Sequence, residues 1–186
     1  MPMMFARRAI CLLIVSMLAI AGTARRSEAA SAAEIEGDVN ATLNRLYLKV
    51  NGARDLAGRA AGVLVFPSIV KAGIGIGGEY GEGALRVKGR TAGYYNSVSA
   101  SVGFQLGVQA RSVVIMFMTE DALASFRRKD GWKVGVDGSV ALVTLGAGGA
   151  VDTNQITKPV IGFILDEKGL MYNLTLEGSK ISRISR

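Results

Sequence analysis

Two local patterns in the chain have spacings that chemistry uses. Ser68-x-x-Lys71 carries the serine and lysine of penicillin-recognising acyl enzymes, where a lysine one helical turn on takes the serine's proton. Tyr94-Tyr95-Asn96 imitates the second element of such sites, but no Lys-Thr-Gly follows. Pro67 and a run of glycines flank the pair where a helix would have to begin. Gly73-x-Gly75-x-x-Gly78 has the letters of a dinucleotide fingerprint. That loop must open a helix at its third glycine, so that backbone N–H groups meet a pyrophosphate. Here Gly81 and Gly83 follow at once, no helical apolar period appears, and no acid stands near position 95 to hold a ribose. Both patterns read as coincidences of spacing.

The rest of the composition also points away from catalysis. There is no histidine, and the single cysteine, Cys11, lies near the N-terminus. A chain without either residue beyond that point forms no disulfide and no thiolate or imidazole metal site, and lacks the commonest general base. Asp55, Glu79, Glu82, Asp121 and Asp137 show no spacing that singles out a carboxylate pair. A non-enzymatic protein without a cofactor is the expectation. The formal charge is +7; without residues 1–30, which hold four arginines and one glutamate, 18 basic residues face 14 acidic ones, a net of +4. A mildly basic surface favours anionic partners. Aromatic residues make up only 6% and are not interleaved with the basic clusters, so nucleic acid is not expected as a partner.

The surface best suited to an anion is basic and glycine-rich. Gly73 to Leu85 holds glycine at 73, 75, 77, 78, 81 and 83. Each glycine costs a helix interior about 1 kcal/mol against alanine, so this stretch reads as strand whose backbone bends, bulges or is closely approached. Lys71 precedes it and Arg86, Lys88 and Arg90 follow. Convergent cations and free backbone N–H groups are what an anionic headgroup needs. The expected lipid contacts are therefore Lys71, Arg86, Lys88 and Arg90 for charge, with Gly73, Gly75 and Gly77 giving backbone access. A second basic cluster, Arg127, Arg128, Lys129 and Lys133, also serves a helix end.

These residues must be positioned by a mixed set of elements. Residues 1–30 read as a secretory signal: Arg7 and Arg8, then the charge-free run Ala9 to Gly22, 14 residues against the ~20 of a spanning helix, then small residues. Residues 31–186 read as one domain. Ile35, Val39, Leu43, Leu46 and Val50 form one face of an amphipathic helix, ended by Asn51-Gly52, and a shorter helix runs from Ala53 to about Ala61. Strands are expected at Gly62 to Phe66, stopped by Pro67, through the glycine stretch, and at Ala84 to Lys88 with a turn at Gly89. Further strands are expected within Thr91 to Ala110 and at Val113 to Met118, Trp132 to Val136, Ser139 to Leu145, Val160 to Leu165 and Leu170 to Leu176. The last two are joined by a turn at Asp166 to Gly169. Thr119 caps a short helix, Glu120 to Arg128, with acids first and bases last. The fold class is α+β: an antiparallel, strongly curved sheet, barrel- or sandwich-like, with N-terminal helices and one short helix between strands.

Several segments together resemble the SYLF domain: Gly62-Val-Leu-Val-Phe-Pro-Ser-Ile-Val-Lys-Ala-Gly73, Val102-Gly-Phe-Gln-Leu-Gly-Val-Gln109, Val113-Val-Ile-Met-Phe-Met-Thr119 and Lys168-Gly-Leu-Met-Tyr-Asn-Leu-Thr-Leu-Glu-Gly178. The resemblance runs from about Val39 to Gly178. It implies a phospholipid-binding module of the kind shared by a yeast actin-patch protein, plant FYVE proteins and secreted bacterial proteins, with no enzymatic activity. Tyr94-Tyr95-Asn96-Ser97 departs from the Trp-Ser-Ala-Pro type segment of many members. Together with the leader, the resemblance gives an exported protein, periplasmic in a Gram-negative source and peripheral to a membrane, whose partner is anionic phospholipid. The alternative is a structural component of the envelope whose exposed strands pair with another envelope protein.

Overall fold

Ser31 caps the first described helix. Its hydroxyl accepts the Glu34 N–H at 3.3 Å, and the Glu34 carboxylate accepts the Ser31 N–H at 2.7 Å, a reciprocal capping box. The helix it starts, α1 (Ala32–Lys49), buries Ile35, Val39, Thr42 and Leu46 against the sheet, and Gly52, in the left-handed region at φ 83°, turns the chain into α2 (Ala53–Arg59). The computed structural model describes residues 30–103, 109–143, 157–165 and 176–186, with main chain only at 72–76 and 101–103. The expected leader, the Leu170 to Leu176 strand and the turn at Asp166 to Gly169 lie wholly or largely outside these residues.

Among the described residues seven strands follow: β1 (Gly62–Val87), β2 (Arg90–Gly103), β3 (Gln109–Phe117), β4 (Trp132–Lys133), β5 (Ala141–Leu142), β6 (Val160–Leu165) and β7 (Lys180–Ile184), with α3 (Glu120–Arg128) between β3 and β4. They form one sheet in the order β4-β7-β2-β1-β3-β6-β5. Every pairing is antiparallel except β5 with β6. The fold is α+β with a strongly curled, mostly antiparallel sheet.

The curl is made by β1. Its 26 residues pair with β3 over Gly62 to Lys71 and with β2 over Gly75 to Val87. The strand does not stop at Pro67. Its register with β3 shifts between Phe66 and Ile69, and proline, which has no N–H to give the ladder, is tolerated at such a bulge. The bulge is tied down from the helix layer. Arg45 on α1 donates to the Ser112 hydroxyl on β3, which itself donates to the Pro67 carbonyl at 2.5 Å.

Beyond the bulge β1 comes back against itself. A Cβ at Gly83 would lie 1.9 Å from the Val65 carbonyl oxygen, and one at Gly81 would lie 2.5 Å from that of Ser68. No side chain fits there, so glycine at 81 and 83 is what lets the two halves of the strand meet. The close approach expected for the glycine stretch is thus made by the same strand.

The core fills the curl. Leu64, Phe66, Leu85, Val113, Ile115, Phe117, Leu123, Phe126, Trp132 and Ile164 belong to one buried cluster, in which Phe126 of α3 lies 4.8 Å from Phe117, 5.1 Å from Tyr95 and 5.6 Å from Trp132 between ring centroids. β3 buries Val114 and Met116 as fully as its inward residues, so both of its faces are covered. Thr119 caps α3 by accepting the Ala122 N–H at 3.2 Å, as the sequence indicates. Trp132 to Val136 is strand only over its first two residues; Val134 then bridges Gly138 across a tight turn. β7, with its short alternation Lys180-Ile181-Ser182-Arg183-Ile184, is a strand the sequence reading missed. Among the described residues no helix is long and apolar enough to cross a membrane.

Candidate anion-binding site

The turn between β1 and β2 is two residues long. Lys88 at φ 51° and Gly89 at φ 75° both take the left-handed region, as a tight hairpin of this hand requires. The turn lifts Lys88 into solvent beside the helix layer. Immediately before it, Arg86 reaches across to α1. Its guanidinium donates to Glu36 Oε2 at 2.5 Å, to Asn40 Oδ1 at 2.9 Å and to the Gly89 carbonyl at 3.5 Å. Glu36 also accepts from the hydroxyls of Thr91 and, at 3.2 Å, Tyr94. Glu36 is therefore a hub that fastens α1 to the hairpin, and Arg86 is its counter-ion. The remaining nitrogen of that side chain, Nε, is buried with no hydrogen-bond partner.

Between α1, α2 and this hairpin lies a groove of about 450 Å³. Leu43, Tyr47, Ala57, Ala60 and Val63 make its apolar walls, and Asn40, Arg54, Gly58, Arg86, Lys88 and Gly89 complete it. Three cations and no acid line it. Arg54, on α2, is held with its guanidinium carbon 4.5 Å from the centre of the Tyr47 ring, a cation–π contact. Burial raises the Tyr47 phenol above its ordinary pKa, partly offset by the charge of Arg54. The arrangement combines apolar walls with three positive charges, which suits an amphiphile with an anionic head.

The structure separates the residues that the sequence groups together. Arg86 and Lys88 line the groove beside Val63, whereas Lys71 lies eight residues further along β1. At ~3.3 Å per residue that is roughly 25 Å of strand from Val63. Gly73 falls in the bend between the two pairings of β1, while Gly75 and Gly77 pair with Gly103 and Ser101 of β2. Lys71 with Gly73, Gly75 and Gly77 thus lies mid-strand where β1 changes partner, whereas Arg86 and Lys88 lie at its C-terminal end and in the turn that follows. Arg90 is exposed at the start of β2 and is not among the groove residues. Arg54 joins the site instead. The Asn51-Gly52 break hides its relation to Tyr47, seven residues earlier on α1. Ser68 and Lys71 both lie in β1, so the one-turn helical spacing of a serine–lysine pair is absent. Gly73, Gly75 and Gly78 likewise lie within this strand and open no helix.

Residues 98–185 match the family model Ysc84, described as Las17-binding protein actin regulator. This match agrees with the SYLF resemblance read from the sequence. The SYLF match takes in the end of β2, then β3, α3 and every later strand through β7. It starts further along than the resemblance read from sequence, and the groove residues at positions 40–89 lie before it. Comparison with curated proteins gives no match.

Proposed function

We propose that this protein binds anionic phospholipid at a membrane surface, without catalysis, through the groove between α1, α2 and the β1–β2 hairpin. The observation that carries the reading is the convergence of Arg54, Arg86 and Lys88 on a cleft whose walls are otherwise apolar. The three cations do different work. Arg86 is already neutralised by Glu36 and keeps the cleft in shape, while Lys88 and Arg54, which have no acidic partner among the described residues, supply charge for a phosphate. The apolar wall accommodates the glycerol and first methylenes, each buried CH₂ contributing about 0.8 kcal/mol. The leader-like N-terminus supports an exported protein, periplasmic in a Gram-negative source and peripheral to the membrane.

The test is vesicle partitioning of the full chain against Arg54→Gln/Lys88→Gln. Loss of two cations near an anionic surface, at about 1 kcal/mol each, is expected to weaken binding to phosphatidylglycerol-containing vesicles by roughly tenfold or more. Equal partitioning of variant and wild type would remove the groove from the account.

A second reading, binding of an envelope protein at the sheet, is favoured by one observation. Tyr80 and Val98 are directly paired across β1 and β2 and are 48% and 46% exposed, apolar surface on a regular sheet face. Crosslinking recovery of a protein partner that is lost in Tyr80→Ser/Val98→Ser, with vesicle binding intact, would favour it.

A further inference from the structure

The sheet ends on one side at β4, and β4 is only two residues long. It covers Ile181 and Lys180 of β7 and goes no further, since Gly131, at φ 74°, turns the chain back toward α3. β7 runs on through Ser182, Arg183 and Ile184, which pair with Asn96, Tyr95 and Tyr94 of β2. On their other side no strand pairs with these three among the described residues. One bond shows which backbone groups face that side. The Ser179 carbonyl accepts the Val134 N–H at 3.0 Å, on the β4 side. A strand turns its backbone groups to the same neighbour at every second residue, so Ile181 and Arg183 turn theirs that way too. Arg183 therefore holds its N–H and C=O at an open edge, a template for a further strand.

Where β4 leaves off there is a groove of about 420 Å³, with the end of β7 on one side and the end of α3 on the other. Tyr95, packed on Phe126 at 5.1 Å between ring centroids, also lines it. Arg183 stands opposite Tyr95 on the same face and lies over Gly93, where a Cβ would come within 3.3 Å of Nε. Among the described residues no carboxylate pairs with Arg127, Arg128 or Arg183, and Asp130 is the one acid in the lining. The helix dipole accounts for bases at the end of α3. It does not account for Arg183, which comes from a strand 55 residues after Arg128. Cations on an edge strand also deter pairing with other edges. Here they repel a second copy of this chain, whose own Arg183 would be brought against them, and favour an acidic strand. A strand laid along Ser182 to Ile184 points alternate side chains into the groove, roughly 7 Å apart. Carboxylates at those positions meet Arg183 and Arg127, and a guanidinium grips a carboxylate through two N–H groups.

We propose that this edge takes up an extended acidic segment of another protein as an added strand, with carboxylates at alternate positions facing Arg183 and Arg127. The site is separate from the first groove and does not depend on what that groove binds. In strand addition, backbone bonds give affinity and side-chain contacts give specificity. Both are tested by titrating the full chain, by fluorescence anisotropy, with a labelled peptide Thr-Glu-Val-Glu-Val-Thr blocked at both ends. Saturable binding is expected. Arg183→Gln, Arg127→Gln, or glutamine for both peptide glutamates should each weaken it roughly tenfold, by loss of charge-assisted bonds. Arg54→Gln/Lys88→Gln, in the first groove, should leave it unchanged. Two further peptides separate an added strand from simple charge attraction, each N-methylated at one set of alternate residues. One set removes the N–H groups that face β7 and the other removes only outward ones, so the two should differ roughly tenfold in affinity. A melting temperature unchanged in Arg183→Gln shows that the fold is intact; should it fall, Arg127→Gln and the methylated peptides decide. Equal binding of the two methylated peptides, binding indifferent to Arg183 and Arg127, or no binding of the peptide overturns the proposal. So does a chain that ignores the peptide and uses Arg183 to bind phosphatidylglycerol vesicles.

Discussion

The Glu79 carboxylate accepts two hydrogen bonds from the Arg111 guanidinium, at 3.3 and 2.7 Å, linking the returning half of β1 to β3 across the interior of the curl. Ser99, the strand partner of Glu79 on β2, donates a third at 3.1 Å. The side chains are 15% and 9% exposed for Arg111 and Glu79. The two charges compensate each other, although Arg111 Nε is left without a hydrogen-bond partner among the described residues, so removing one member leaves the other uncompensated, which costs 3–5 kcal/mol in well-buried cases. Glu79→Ala is expected to lower stability by about 3 kcal/mol in chemical denaturation. Glu79→Leu with Arg111→Met should recover much of that loss, and a double variant as weak as the single one would show that the pair does not act as a unit.

Glycines in this chain have opposite meanings by position. Gly83 sits where a Cβ would be 1.9 Å from the Val65 carbonyl, backbone against backbone, so Gly83→Ala is expected to cost at least about 3 kcal/mol through overpacking. Gly37, in the exposed part of α1, has nothing within 4 Å of such a Cβ. Gly37→Ala should stabilise by up to about 1 kcal/mol. Thermal melts of the two variants should move in opposite directions.

The turn after β4 gives a pH signature. Asp137 accepts from Lys129 Nζ and, at 2.8 Å, from the Lys133 N–H; the Lys129 bond is the larger cause holding its carboxyl below the ordinary range. The folded chain then binds this proton less tightly than the unfolded chain. The contribution is complete above the ordinary carboxylate value of about 3.9 and is lost as pH falls through the lower folded value. The urea midpoints of wild type and Asp137→Asn should differ at pH 6 and converge in the acid range. A gap constant down to the acid limit would contradict this assignment.

How much of this was legible in the sequence depended on whether the signal was local. The α3 boundaries followed from Thr119 and from the order of its acids and bases, and β6 from an unbroken apolar run bounded by turns. Pro67 misled, because a proline stops a regular strand but not one that bulges at that point. β7 was missed because its alternation is short and carries three polar residues in five. For the site, Arg86 and Lys88 were found as a cluster near a turn. Their separation from Lys71 depends on β1 pairing with different strands along its length, and Arg54 joins them only through the packing of α2 against α1.

Co-sedimentation of the full chain with vesicles of rising phosphatidylglycerol content tests the central claim most directly, using substitutions at a groove residue that is neither charged nor packed. Gly58 lines the cleft and has open space where a side chain would start. The wild type should bind in proportion to anionic content and release as salt shortens the screening length from about 10 Å at 0.1 M to 3 Å at 1 M. Gly58→Ala should bind as wild type, and Gly58→Glu, which sets a carboxylate among Arg54, Arg86 and Lys88, at least fivefold more weakly. Equal binding by Gly58→Glu and Gly58→Ala, or binding indifferent to anionic lipid, would contradict the account.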